Sequence, residues 1–565
     1  MHTANAEVAP AGSRQPEGRT SGLRVILGSS LGTVFEWYDF FLYGSLAAII
    51  SRQFFAGVNE TTGFILALMT FAAGFAVRPL GAFVFGRLGD LVGRKRTFLA
   101  TIVIMGAATI LVGLLPTYEQ IGIAAPVALV CLRLLQGLAI GGEYGGAAVY
   151  VAEHAPAARR GEYTSWIQST SSLGLLSSLL VILLCRGLMG PAFETWGWRI
   201  PFLLSVLLLA ISVYVRVQLA ESPVFERMVA TGNRSRAPIA ECLGTRGNVR
   251  LMVTALFGGC AGMTVVFYCS QFYALFFLTQ MLKVDPQHAN LLVAAAILIG
   301  APFYVLSGWL ADRIGRKTVV VLGCLLAATT YFPLYRAITH YANPALEAAA
   351  QHAPITVVTD PRGCSFQFDP VGKKKFVTPC DIAKTALTRA GVPYRTQAGS
   401  PGAATLVQIG APGPAGTVLQ AFDGSAMSAA QFKSAGESFS KQLGNALQAA
   451  GYPSRADPQQ TNYPMLLLIL SVMVIYVALA YGPLAAWLVE LFPARIRYTS
   501  VSVPYHMAVG WLGGFLPTVA FAIVVVTGDL YAGLWYAVVV AGLSALIGAI
   551  FLPDTLNKAQ GIDAP

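Results

Sequence analysis

Apolar stretches long enough to cross a bilayer recur along most of this 565-residue chain. A membrane-spanning helix needs about twenty consecutive apolar residues, because its backbone rises only about 1.5 Å per residue. Such stretches lie at 24–50, 62–86, 97–116, 122–152, 163–187, 199–220, 250–281, 289–311, 318–339, 464–490, 500–526 and 531–552. With 55% apolar and 12% charged residues, the composition is that of a polytopic membrane protein. The sequence therefore predicts an all-α membrane protein whose solvent is the lipid bilayer.

A charged loop joins the second and third predicted spans and occurs twice. The first copy contains Asp90 and Arg94, and the same spacing, G-x-x-x-D-x-x-G-R-K, returns 222 residues later with Asp312 and Arg316. Glycine permits the tight turn, and the acid can cap the N-terminus of a neighbouring helix. A plain turn with fixed charges is the alternative, but it does not explain two copies in register. The repeat predicts a duplicated membrane unit.

A second pair of repeats shows that the two halves differ in length. Glu153 and Arg160 are matched by Glu490 and Arg497, each 337 residues later. This offset exceeds the first by about 115 residues, and the polar stretch 341–463 accommodates the difference.

The stretch 341–463 has the pattern of a small α/β domain. We predict strands at 355–359 and 406–409, a helix at 380–391 that ends at a glycine, and a helix at about 426–450. A disordered loop is the alternative interpretation.

Basic residues are concentrated in the loops on one side of the predicted spans, as at Lys95 and Lys317. Loops rich in Lys and Arg face the cytoplasm, so both termini are expected there and 341–463 on the opposite side. The net charge of +11 is then explained by membrane orientation and not by nucleic-acid binding. We expect a multi-pass protein of the cell (inner) membrane.

Two of the eight cysteines, Cys364 and Cys380, fall together in this polar stretch. Thiols outside the cytoplasm are readily oxidised, so we predict that they form a disulfide. No His lies in ligand spacing between them, and we expect neither a metal site nor a cofactor.

The first predicted span carries Glu36 and Asp39, three residues apart and on one face. Burying them costs several kcal/mol unless each is paired or protonated. Arg133 of the fourth span offers a partner for either acid, and Glu143 lies on the same span. A carboxylate holds its proton less firmly beside an arginine than away from it in apolar surroundings. A motion that opens such a pair would therefore bind a proton, although permanent salt bridges between helices are the alternative.

Other polar and aromatic side chains are candidates for a substrate cavity. Arg78 could attract an anion or be paired at a helix end, and His506 could relay protons or be a hydrogen-bonded core residue. Simple packing is the alternative for the aromatic residues. The full candidate set is Tyr43, Arg78, Gln136, Tyr268, Gln271, Tyr273 and His506.

Five motifs in order resemble the metabolite:H⁺ symporter branch of the major facilitator superfamily. They are Glu36-Trp-Tyr-Asp39, Arg133-x-x-Gln136-Gly, Gly197-Trp-Arg-Ile-Pro-Phe202, Glu221-Ser-Pro-Val-Phe225 and Glu490-Leu-Phe-Pro-Ala-Arg-Ile-Arg497. Members of that branch carry 2-oxoglutarate, citrate, shikimate, or proline and betaine. The resemblance implies twelve helices in two six-helix halves, from which the insertion between helices 9 and 10 is a departure.

The resemblance also implies roles for individual residues. Asp39 and Arg133 would be the coupling acid and its switch partner, with Glu36 and Glu143 as further proton-coupling candidates. Asp90 would act as a gate. The expected gating set is Asp90, Arg94, Asp312, Arg316, Glu153, Arg160, Glu490 and Arg497.

Together these features predict a proton-coupled transporter that imports a small carboxylate or zwitterion by alternating access and works as a monomer. A transporter-like solute sensor is the alternative. An enzyme is disfavoured, because no H-E-x-x-H, Walker A or G-x-S-x-G motif occurs. The expected organisation is a cytoplasmic tail (1–22), a first half (23–220), a connector (221–248), helices 7–9 (249–340), the insertion (341–463), helices 10–12 (464–553) and a tail (554–565).

Overall fold

The computed structural model describes residues 22–56, 66–67, 69–70, 73–365, 376–410 and 416–556. Its main elements are α1 Gly22–Phe54, α2 Arg78–Leu91, α3 Arg94–Leu114, α4 Ala124–His154, α5 Arg160–Ser169, α6 Ser171–Met189, α7 Arg199–Val217, α8 Pro223–Ala230, α9 Pro238–Gly244, α10 Arg246–Ala255, α11 Ala261–Tyr268, α12 Pro286–Ile314, α13 Arg316–Ala342, α14 Pro344–His352, β1 Ile355–Thr359, α15 Pro379–Ala390, β2 Arg395–Ala398, β3 Leu406–Ile409, β4 Thr417–Gln420, α16 Ala429–Ala449, α17 Tyr463–Tyr481, α18 Leu484–Leu491, α19 Arg497–Met507, α20 Leu516–Thr527 and α21 Leu534–Phe551. The predicted tail 1–22 lies outside the described residues except for Gly22, and the predicted tail 554–565 lies outside them from residue 557 onward.

Ten helical stretches in the described ranges are long and apolar enough to cross a membrane. They begin at Arg94, Ala124, Ala157, Arg199, Arg246, Pro286, Arg316, Tyr463, Ala494 and Leu534. Each overlaps one of the last ten predicted spans. The first predicted span, 24–50, lies within the helix α1, and the second, 62–86, falls partly outside the described residues.

The first half packs closely because small residues face its helix crossings. At Gly137 and Gly141 of α4, an added Cβ would collide with the main chain of Gly74 and Arg78. Glycine at both positions therefore lets α4 approach the chain around the start of α2 at backbone distance. This contact fixes the position of Arg78.

The stretch between α13 and α17 folds into a four-stranded sheet with helices α15 and α16. The strand order is β2-β1-β3-β4, with β1 parallel to β2 and antiparallel to β3, and β3 antiparallel to β4. Alternate residues of β1, namely Ile355, Val357 and Thr359, are buried. The predicted strands and helices are present, whereas β2 and β4 were not predicted because neither alternates between apolar and polar residues.

This α/β domain rests on helix ends of the second half. The Tyr394 amide donates to the Gly528 carbonyl at 2.9 Å, just beyond α20. The Lys384 ammonium donates to the Val526 carbonyl at 3.3 Å, and burial lowers the pKa of Lys384. Lys283 donates to the main chain at the end of α15. The domain is thereby attached at several points to one half of the helical bundle.

Cys364 and Cys380, the predicted pair, are joined by a disulfide in this domain. The bond closes a loop of 16 residues, which stabilises a fold by about 3 kcal/mol in the chain-entropy model. We expect the double variant Cys364→Ser/Cys380→Ser to lower the free energy of unfolding of the α/β domain by about that amount. Differential scanning calorimetry of the full-length protein measures the effect.

Cys185→Ser, which removes a buried thiol of α6, serves as the control and should leave the transition of the α/β domain in place. Free, alkylatable Cys364 and Cys380 in protein purified without reductant would contradict the disulfide.

Candidate functional site

Asp39 of α1 is buried and bonded entirely within the first half. Its Oδ2 accepts a hydrogen bond from Arg133 Nη1 at 3.0 Å, and its Oδ1 accepts from Thr109 Oγ1 at 3.0 Å and from Gln136 Nε2 at 3.2 Å. The sequence left open whether Arg133 pairs with Asp39 or Glu36, and the structure pairs it with Asp39. The pair links α1 to α4.

Glu143 of α4 forms a separate ion pair with Arg216 of α7. Its carboxylate also accepts from Thr101 Oγ1 at 2.7 Å, and both charged side chains are about 1% exposed. Gly32 leaves room for the pair, because an added Cβ would collide with it. The geometry is that of a sealed link between helices, which supports the permanent salt bridge left open above. Sequence reasoning missed Arg216, since a cation near the end of an apolar span reads as a helix terminus.

Glu36 lies on another side of α1 and faces a cavity between the two halves. Its Oε1 is 3.7 Å from Arg78 Nη1, and the Arg78 guanidinium lies 4.2 Å from the centre of the Phe75 ring. Both charged side chains are nearly buried, at 12% and 8% exposure. Among the described lining residues they are the only charged ones.

Aromatic rings dominate the rest of the cavity. Its lining is Thr33, Glu36, Trp37, Phe40, Phe75, Arg78, Tyr144, Gln168, Met263, Thr264, Phe267, Tyr268, Tyr481, Tyr505 and Val509. Rings of the two halves meet here, with Trp37 and Phe267 centred 5.3 Å apart and Phe40 and Phe272 5.4 Å apart. The cavity therefore lies at the junction of the halves.

Of the seven predicted cavity residues, Arg78 and Tyr268 line this cavity. The structure places the other five elsewhere. Tyr43 and Gln136 belong to the Asp39 cluster, where the Arg133 guanidinium lies 3.6 Å from the Tyr43 ring centre.

The remaining three predicted residues are buried within the second half. Gln271 is 5% exposed, and Tyr273 packs against Tyr335 within the bundle. His506 is fully buried with its ring edge-on to Tyr144 and Tyr505, and neither ring nitrogen has a hydrogen-bond partner among the described residues. Sequence reasoning missed Tyr144, which lies inside the glycine-rich run of α4.

The repeated loop acids cap helices of the opposite half. Asp90 accepts from the amides of Tyr498 and Thr499 at 3.1 and 3.0 Å, at the start of α19. Asp312 accepts from the amides of Gly161 and Glu162 at 2.8 Å each, at the start of α5. This confirms the prediction that the loop acid caps a neighbouring helix. We call the helix ends that carry these contacts the gate face.

Four arginines and two glutamates complete the gate face, and each glutamate pairs with one arginine of its own half and one of the other half. Glu153 pairs with Arg94 at 3.6 Å and with Arg497 at 2.8 Å. Glu490 pairs with Arg316 at 3.2 Å and with Arg160 at 3.3 Å. Arg94 and Arg316 also bind the loop acids Asp90 and Asp312, each at 2.9 Å. The eight predicted gating residues thus form two clusters, one around Glu153 and one around Glu490, and each cluster joins the halves.

In the described part of the chain no cluster of three or more His, Cys, Asp or Glu side chains could hold a metal ion. The acids of the site face arginines and backbone amides instead.

Two family models match the chain. A model of sugar (and other) transporters covers residues 25–253, and a model of MFS/sugar transport proteins covers residues 150–358.

Several curated proteins of Escherichia coli K12 are similar. The shikimate transporter is 39% identical over 56% of this chain and 72% of its own length. The inner membrane metabolite transport protein YhjE is 37% identical over 55% of this chain and 71% of its own length. The proline/betaine transporter is 35% identical over 55% of this chain, and the match spans 64% of its length.

Among solved structures, the proton:xylose symporter XylE bound to 6-bromo-6-deoxy-D-glucose matches with a TM-score of 0.59 over 96% of this chain and 98% of its own. The partially occluded inward-open form of XylE from E. coli matches with a TM-score of 0.52 over 94% and 98%. At 16% identity these matches show the fold alone.

We predict that Asp90→Asn opens the gate face. The amide loses the charge that the α19 amides stabilise, at a cost of about 2 kcal/mol, which shifts a two-state equilibrium about thirtyfold. Spin labels at Arg96 and Arg313, both exposed and on opposite halves, report the separation by pulsed electron paramagnetic resonance.

Asp312→Asn breaks the duplicate cap and should shift the same distance in the same direction. Asp285→Asn is the matched control, because Asp285 caps α12 within its own half. An unchanged distance distribution in Asp90→Asn would show that the cap does not hold the gate face closed.

Proposed function

The chain belongs to the major facilitator superfamily of membrane transporters, and on this premise we propose that it imports a small polar metabolite, a carboxylate or a zwitterion, together with protons by alternating access. Family models and relatives are transporters, not enzymes. The shikimate and proline/betaine transporters among the relatives support a small polar metabolite as the cargo. Because these relatives are named as transporters, they disfavour the alternative of a solute sensor.

The proposed layout has twelve membrane helices in two halves of six, with residues 341–463 inserted between helices 9 and 10. The ten apolar stretches, together with α1 and the region of α2, would make up the twelve membrane helices. The gate face would be cytoplasmic, because its loops carry the basic residues, and the α/β domain would lie outside. We also propose that the protein works as a monomer, because the described lining of the cavity comes from a single chain.

The observation that carries the proton-coupling proposal is the pair of acid–arginine contacts on α1. Asp39 with Arg133 and Glu36 with Arg78 lie within one turn of each other in an apolar bundle. A buried carboxylate is stable there either ionised beside its arginine or protonated away from it. A change of conformation that separates Asp39 from Arg133 would therefore take up a proton.

Alternating access is supported by the asymmetry of the contacts between halves. On the gate face the halves are held by helix caps and ion pairs, whereas around the cavity they meet through aromatic rings. Breaking the contacts of the gate face while the rings re-pack would open the cavity toward the side of the membrane on which the gate face lies.

We predict that Asp39→Asn lowers uphill accumulation but retains exchange of labelled substrate. The amide imitates the protonated acid, so the carrier still changes conformation but this position no longer draws on the proton gradient. Each proton entering supplies about 2.3 kcal/mol per 100 mV, so the loss is large. Uptake into proteoliposomes with and without a proton gradient measures both activities.

Asp285→Asn is again the control and should keep both accumulation and exchange. Undiminished accumulation by Asp39→Asn would remove Asp39 from the coupling mechanism.

The orientation yields a further prediction. Lys433 on α16 and Arg96 on α3 are both exposed and lie on opposite sides of the proposed membrane. A membrane-impermeant maleimide added to intact cells should label Lys433→Cys and spare Arg96→Cys, and disrupting the cells should make both reactive. The reverse pattern would invert the proposed topology.

A further inference from the structure

The Glu36–Arg78 contact leaves the arginine open to a second anion. The two groups are 3.7 Å apart, whereas charge-assisted N–H···O bonds measure about 2.7–2.9 Å. Neither side chain forms a hydrogen bond with a described residue, and Arg78 Nε is buried without a partner there. Asp39, by contrast, accepts three hydrogen bonds from side chains. Of the two acids on α1, Glu36 is the one whose partner can be replaced.

Resting on the proposed transport function, we propose that Arg78 binds the carboxylate of a small monocarboxylate metabolite and that Glu36 takes up one proton as it binds. A substrate carboxylate on Arg78 beside an ionised Glu36 would place two anions next to one cation in a buried cavity. A proton from the aqueous phase on a Glu36 oxygen removes the excess charge. No covalent bond forms, and the proton leaves when the substrate does.

The lining limits the substrate to one carboxylate. Beyond Glu36 and Arg78, the described lining residues carry no charge, so a second carboxylate would be buried without a cation. The rings of Trp37, Phe40 and Phe267 offer apolar faces to a compact or cyclic body. The hydroxyl of Tyr144 and the amide of Gln168 can bond hydroxyl groups on that body. In this conformation the cavity has a volume of only about 20 Å³, so a small hydroxylated acid with an apolar ring would enter it as the surrounding rings re-pack.

Other titratable groups near Glu36 do not compete for its role. Asp39 and Glu143 each hold an arginine of their own. Tyrosine hydroxyls line the cavity, and His506 is not among its described lining residues but packs edge-on against Tyr144 and Tyr505. The lining tyrosines are Tyr144, Tyr268, Tyr481 and Tyr505. Glu36 is thus the acid whose protonation depends on what Arg78 binds.

Isothermal titration of the purified full-length protein tests the proposal with shikimate, quinate, benzoate and cyclohexanecarboxylate. Each acid is paired with its uncharged methyl ester, and 2-oxoglutarate and glycine betaine represent dicarboxylates and zwitterions. We expect at least one of the four acids to bind tenfold or more tightly than its ester, 2-oxoglutarate and betaine. At alkaline pH, a pH electrode in weakly buffered solution should register the uptake of about one proton for each molecule of acid bound. In the same pH range the affinity for the acid should fall about tenfold per pH unit.

The variants separate the two residues. Arg78→Gln should weaken binding of the acid at least tenfold, and Arg78→Lys should restore part of the affinity. Glu36→Gln should bind the acid without proton uptake and with an affinity independent of pH. The matched controls are Glu194→Gln and Arg52→Gln, which break an exposed ion pair of 2.6 Å and should leave binding and proton uptake unchanged.

Three outcomes would overturn the proposal: equal binding of ester and acid, proton uptake that persists in Glu36→Gln, or tighter binding of 2-oxoglutarate or betaine than of all four acids. Failure of the proposed transport function is distinguishable. It would appear as absent uptake in proteoliposomes while binding of the acid, and its proton, stays intact.

Discussion

A charge inside an apolar helical bundle must be neutralised by a counter-charge, and on the gate face each half takes part of its counter-charges from the other. Glu153 of the first half binds Arg497 of the second, and Glu490 of the second binds Arg160 of the first. An ion pair broken in such surroundings costs several kcal/mol, because it leaves a buried charge without a partner. The two halves are thus held together by these two ion pairs, which add to the pairs that Glu153 and Glu490 form with Arg94 and Arg316 of their own halves.

The helix caps also favour the closed arrangement of the gate face. Asp90 and Asp312 place a negative charge at the N-termini of α19 and α5, where free backbone amides and the helix dipole both favour it. Separated halves would leave those amides to water, at a cost of about 2 kcal/mol for each charged cap. The closed gate is therefore favoured without being locked. A carrier that alternates between two conformations needs an interface of this strength, since an irreversible one would stop the cycle.

The sequence predicted what local pattern determines. The ten apolar stretches, the duplicated loops and the cap made by Asp90 follow from hydropathy, spacing and turn chemistry. The sequence could not predict which of the two acids on α1 faces the cavity. Glu36 and Asp39 are only about 60° apart around the helix, so the packing of the neighbouring helices decides it. Arg216 was missed for a similar reason, since its partner Glu143 is distant in sequence. Strand β2 was not predicted from the sequence because all its residues are exposed. Its pairing with β1 therefore leaves no alternation of apolar and polar residues in the sequence.

The large insertion is compatible with the proposed cycle because of where it is attached. Its contacts at Tyr394 and Lys384 run to the end of α20, and Lys283 ties α15 to the helical stretch that ends at Met281. All three anchor points belong to the second half. A domain fixed at several points to one half moves with it as a unit, so those anchors stay intact when that half moves against the other. About 115 extra residues can therefore be carried by a duplicated transporter fold without changing the gate face, whose residues lie outside the insertion and keep their paired geometry.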